Sequence, residues 1–129
     1  MDISTHRATD AWHSGAPYSP AVKVGATIYV SGTVPIDPAT GETVGTDIGS
    51  QTERVLANIA LTLEAAGSSL NRVVKTTVFI TDSSLVAGMN ETYRRHFPDH
   101  LPARSTVQVG PLARPEWLVE IEAVAVAAS

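Results

Sequence analysis

Leu118-Val119-Glu120-Ile121-Glu122-Ala123-Val124-Ala125-Val126, close to the end of the chain, decides the fold class. Its period of two is that of a β-strand: Val119, Ile121, Ala123 and Ala125 share one face, and Leu118, Glu120, Glu122, Val124 and Val126 share the other. The first face is wholly apolar and calls for a layer of helices. The second sets two carboxylates among valines.

Moving outward, Val73–Ile80 and Arg104–Val109 read as further strands, and Ala21–Val24 and Thr27–Ser31 as a pair joined at Gly25-Ala26. Between them lie two helical patterns. Asp47 caps the first, in which Ile48, Val55, Leu56, Ile59 and Leu63 fall on one face, and Gly67 ends it. The second runs from about Ser84 to His96, with Leu85, Met89 and Tyr93 on one face, and Pro98 closes it. Residues 1–20 are polar, broken by Gly15, Pro17 and Pro20, and carry no regular pattern. The order β-β-α-β-α-β-β over one domain, residues 1–129, predicts an α+β protein with both helices on one side of the sheet. Alternation assigns Arg104 and Lys75 to the other side, with Phe79, Val124, Val126, Glu120 and Glu122. A face so mixed fits an assembly interface with polar pockets better than a solvated surface.

Composition narrows the partners. A net charge of −4, with Arg94-Arg95 as the single adjacent basic pair, argues against nucleic acid. Without cysteine there is no disulfide and no thiolate chemistry. No apolar run reaches the roughly 20 residues that cross a bilayer, and the polar start is no signal peptide, so the expectation is a cytoplasmic protein without membrane partners.

Few side chains are candidates for chemistry. The planar fork of Arg104 matches a carboxylate; alternatively it forms an ordinary salt bridge with Glu120 or Glu122. Glu120 and Glu122 lie roughly 7 Å apart on one strand face, either as an acid–base pair or as a charged strand edge. Ser31-Gly32 ends a strand where glycine lets a ligand come close. His96 and His100 are four apart but separated by Pro98, so no metal site is expected. His6 and His13 are expected to face solvent. Nucleotide-binding and serine-hydrolase motifs are missing.

Taken together, the segments resemble the RidA (YjgF) family over almost the whole chain. Ala16-Pro17-Tyr18-Ser19-Pro20-Ala21, Val30-Ser31-Gly32 with Pro35–Gly41, Asn58 with Leu63–Gly67, Val73–Ile80, Met89–Tyr93 with Phe97, Pro102–Val107 and Val119–Ala123 follow in the family's order. The resemblance implies a chorismate-mutase-like (bacillus type) mixed sheet and a homotrimer with sites between subunits. It also implies hydrolysis of reactive enamines and imines of the 2-aminoacrylate/2-iminopropionate class to 2-keto acids and ammonia, without metal or organic cofactor. By the same resemblance Arg104 holds the substrate carboxylate and Glu120 activates water, while Tyr18, Ser31, Gly32, Asn90 and Thr106 line the pocket. The chain departs from many members at Thr106, where they carry cysteine, and at Thr33, where they carry glutamine. The competing expectations are a carboxylate-binding or chaperone-like trimer without turnover, a divergent pathway-specific member, and a ribonuclease.

Overall fold

Six strands form one sheet in the order β1-β2-β3-β6-β4-β5 in the computed structural model, which describes residues 2–128. The strands are β1 (Ile3–His6), β2 (Ala21–Val24), β3 (Thr27–Thr33), β4 (Val73–Ile80), β5 (Ala103–Gln108) and β6 (Val119–Val126). Helix α1 (Ile48–Ala65) lies between β3 and β4, and α2 (Val86–Arg95) between β4 and β5. Every neighbouring pair is antiparallel except β4 and β5. The sheet is therefore mixed, with two helices on one face, as the α+β reading predicts.

Helix α1 starts where Asp47 accepts from the Ser50 amide at 2.9 Å. That bond, with the Ser50 hydroxyl, holds the Asp47 carboxyl below the usual carboxylate range. At the other end Ser68 N–H reaches Leu63 O and Gly67 N–H reaches Glu64 O, with Gly67 at φ +81°, the paired closure that ends many helices. The inward face of α1, Val55, Leu56, Ile59 and Leu63, packs with Val119, Ile121, Ala123 and Ala125 of β6 in one core. Met89, Tyr93 and Phe97 bring α2 into the same core. A single turn of tighter helix, Ser83–Leu85, precedes α2.

Two buried amides fasten α1 to the chain around the sheet. Gln51 accepts from Leu118 N–H at 2.8 Å and donates to the carbonyls of Glu116 and Gly45. Asn58 donates to the carbonyls of Val34 and Ile36, fixing the segment that leaves β3.

Three details differ from the sequence reading. Ile3–His6 is a strand, paired with β2 so that exposed Ile3 and Thr5 stand beside Val24 and Val22. Four residues at a sheet edge bury too little to leave a pattern. A bulge at Val73–Lys75 places Val73 in the core and turns Val74 outward, 45% exposed. Arg104 and Thr106 lie on the helix-covered face, because β5 pairs in register with β4 and places them beside Thr76 and Val78. On the opposite face stand Tyr29, Phe79, Val107, Val124, Lys75, Glu120 and Glu122, and no helix of the described residues packs there.

Candidate active site

Arg104 projects from β5 toward α2. Its guanidinium lies 5.0 Å from the centre of the Tyr93 ring, a cation–π contact, and the Tyr93 hydroxyl shares a 2.7 Å hydrogen bond with Thr76. Burial pushes the Tyr93 phenol up, opposed by the Thr76 bond and by the charge of Arg104. The predicted alternative for Arg104, a salt bridge to Glu120 or Glu122, does not form: the guanidinium is on the other face of the sheet. Asn90, one turn before Tyr93, opens with Arg104 onto a cleft of about 220 Å³ walled by Leu101 and Pro102. The Asn90 Oδ1 and Thr106 Oγ1 atoms are buried without a hydrogen-bond partner in the chain. An arrangement of fixed cation and unsatisfied polar atoms is suited to a small anion with further polar groups.

Glu120 belongs to a second group. On β6 it pairs with Phe79 and stands on the uncovered face. Burial, and then the neighbouring charge of Glu122, raise its carboxyl above the usual range; Glu122 itself is exposed. In the neighbouring strand one extra residue bulges β3 between Val30 and Thr33, at Ser31-Gly32, opposite Ile121–Ala123. A Cβ at Gly32 would overlap Glu120 Oε2, so glycine here is what lets the carboxylate lie against the β3 backbone. Ser31 is held by its amide to Pro20 O and by its hydroxyl to Ser19 O, 2.6 Å. Those bonds bring Tyr18 alongside, its ring 4.7 Å from that of His13. His13 is thus half-buried against an aromatic neighbour rather than free in solvent.

The seven predicted residues therefore assemble as two groups: Arg104, Asn90 and Thr106 in one, and Glu120, Gly32, Ser31 and Tyr18 in the other. Arg104 and Ala123 both pair with Thr76, which puts Arg104 two strands from β6 and in line with the residue three beyond Glu120. Two strand spacings and three residues of rise separate their backbones by roughly 14 Å, and the side chains leave opposite faces. A three-carbon acid spans about 5 Å. No such molecule touches both groups of one chain.

No periodicity or motif marks a third feature. The segment before β2 folds back over β3 and α1 and covers a cleft of about 90 Å³ whose walls include Trp12, Tyr18, Ser31, Gly32, Val34 and Leu61. Trp12 N–H donates to Pro38 O, its indole lies on Gly41, and Arg114 stacks 5.7 Å from its ring. His96 bonds Thr92 O and lies 3.4 Å from a Glu53 oxygen, and His100 bonds Val73 O.

The family model described as Endoribonuclease L-PSP matches residues 8–127, a span holding both groups. The chain belongs to that family. Among relatives of this L-PSP family member, a RutC family protein of Pyrococcus abyssi is 51% identical over 109 residues, covering 84% of this chain and 85% of its own. The 2-iminobutanoate/2-iminopropanoate deaminase of mouse (Mus musculus) is 44% identical over 124 residues, covering 96% and 89%. The crystal structure of RidA from the Antarctic bacterium Psychrobacter superposes with a TM-score of 0.89 at 41% identity, over 95% of this chain and 98% of the other. The RidA resemblance and the fold it implied both hold. Among the described residues, no helix of this family member is long and apolar enough to cross a membrane.

Proposed function

We propose that the protein is a hydrolytic deaminase of small 2-imino acids and their enamine tautomers, acting in a homotrimer whose sites join the Arg104 group of one copy to the Glu120 group of the next. The carrying observation is the division of the site: a cation with unsatisfied polar atoms on one face, and a carboxylate of raised proton affinity on the other, too far apart to meet in one chain. The uncovered sheet face, with Phe79, Val107 and Val124 among polar residues, supplies the surface on which copies meet. A contact between two different patches closes into a ring when its rotation permits, and three copies then hold three sites. The mouse relative named as an imine deaminase supports the chemistry.

In this reading Arg104 grips the substrate carboxylate through its fork, and Asn90 and Thr106 bond to it or to the nitrogen. The imine carbon is already electrophilic, so fixing it beside a positioned water supplies much of the rate. Glu120 takes a proton from water as oxygen bonds to the carbon and passes it to the imine nitrogen, giving a neutral carbinolamine. It then takes the carbinol O–H proton and delivers it to the nitrogen as the C–N bond breaks and the C=O bond forms, so the products are one 2-keto acid and one ammonia. A carboxyl raised by burial is a stronger base than an exposed one, and Gly32 leaves room for it to approach. These steps use only protein side chains and water.

Complementation tests the division. Arg104→Ala and Glu120→Gln are each expected to be inactive, and each to keep a mass near three times 13.6 kDa by light scattering. Co-expressed in equal amounts, they are expected to recover about one quarter of wild-type ammonia release from 2-iminopropanoate, because one ordered contact in four joins an intact Arg104 to an intact Glu120. Mixed trimers with no recovered activity overturn the shared site.

A further inference from the structure

From the cleft that Arg104 shares with Arg94 we infer that this chain prefers 2-imino acids of four or five carbons that carry a second carboxylate, and that Arg94 selects them. The inference rests on the deaminase reading and adds its substrate class. Arg94 follows Tyr93 on α2 and stands one helical turn beyond Asn90, so the two side chains leave the same face with their Cβ atoms about 5–6 Å apart. Asn90, Tyr93, Arg94 and Arg104 are all walls of the one cleft. A substrate gripped at its first carboxylate by Arg104 therefore meets a second cation on another wall of the same space.

Charge sets the preference. No acidic residue lines the cleft, and among the described residues neither Arg94 nor Arg104 forms an ion pair. Two cations that wall one space with no carboxylate between them favour a ligand with two negative charges over one with a single charge. The chain as a whole carries a net charge of −4, so a dianion is drawn here by the local charge and against the overall field. Arg95, next along the helix, bonds Thr92 Oγ1 and is not a wall of the cleft. Arg104 is fixed over the Tyr93 ring, while Arg94 stands exposed in the last turn of α2, where its long stem can meet ligands of either length. Size agrees. The cleft holds about 220 Å³, whereas the six heavy atoms of pyruvate need roughly 60–90 Å³, at about 10–15 Å³ for each water-sized group. The Asn90 Oδ1 atom, buried without a partner, is an acceptor, as the N–H of an imine requires.

Titration calorimetry with two keto-acid products of one chain length, 2-oxoglutarate and 2-oxopentanoate, tests the inference. The wild type is expected to bind 2-oxoglutarate at least about ten-fold more tightly, the order expected for one charge-assisted contact. Arg94→Gln is expected to bring that ratio to within about two-fold and Arg94→Glu to invert it, while Arg95→Gln, which removes the same charge outside the cleft, keeps it. Equal affinities in the wild type, a ratio that Arg94→Gln leaves at its wild-type value, or an equal fall in Arg94→Gln and Arg95→Gln overturns the inference and leaves the deaminase reading intact. Ammonia release from 2-iminoglutarate and 2-iminopropanoate judges that reading separately. No release from either, alongside Arg94-dependent binding of 2-oxoglutarate, overturns the deaminase reading and sustains the site for a second carboxylate. Binding of neither acid overturns both.

Discussion

At Glu120 two influences act in the same direction. Its place against Gly32 and Phe79 buries the carboxyl, and Glu122 adds a like charge; both favour the protonated form. A folded-state value raised above that of the unfolded chain means the contribution to stability is present in full at acid pH and is lost as pH rises through the raised value. Glu120→Gln removes this dependence. Relative to wild type, the variant is expected to gain urea resistance as pH increases from the ordinary glutamate range to neutrality, in equilibrium unfolding followed by circular dichroism. The same titration gives wild-type turnover an acid limb above the ordinary carboxylate range, and Glu120→Gln is expected to lack that limb and to fall roughly 10²- to 10⁴-fold in rate, the usual worth of a positioned base. An unchanged acid limb in the variant would remove Glu120 from the proton transfer.

Helix α1 is held to the sheet as much by polar as by apolar groups. Gln51 is buried completely, and two of its three bonds, to Leu118 N–H and Glu116 O, tie α1 to the segment that leads into β6, while the third holds Gly45 O in the loop before the helix. Gln51→Met keeps length and packing but leaves Leu118 N–H and two carbonyls unpaired, an expected loss of about 2 kcal/mol. The urea midpoint should drop with little change in slope. The helices and β6 were legible in the sequence because their faces are uniform: Val55, Leu56, Ile59 and Leu63 repeat at helical spacing, and Val119, Ile121, Ala123 and Ala125 at strand spacing. The face taken by Arg104 was not. An edge strand such as Ala103–Gln108 carries polar residues on both sides, so alternation within it has no anchor, and its parity comes only from pairing with β4. The bulge that turns Val74 outward is equally invisible, since a β-branched residue suits either face. The site residues themselves came from the family resemblance; their spacing could not have shown that they form two groups, and Trp12 lies in a stretch that carries no regular pattern.

For the whole molecule, the uncovered sheet face and the divided site make the same demand. Phe79 pairs with Glu120 on one side and Val107 on the other, in the middle of the surface assigned to the neighbouring copy. Phe79→Asp places an unpaired charge there, and burying one without a partner is costly enough to keep copies apart. The variant is expected to elute and scatter as a single chain, to keep its far-ultraviolet circular dichroism, and to lose ammonia release although Arg104 and Glu120 are untouched. A monomer with wild-type turnover would contradict the division.

The position of Arg104 and Glu120 on opposite faces also governs how damage is inherited. In the proposed ring each chain lends one group to each of two neighbours, so a cell making equal amounts of normal chain and a chain lacking Arg104 keeps half of its sites whatever the mixture of subunits in each ring. Such a lesion is expected to behave as a recessive one, its effect proportional to gene dosage. A lesion that spoils the Phe79 face while still allowing one-sided contact poisons the rings it enters, and its expected behaviour is dominant.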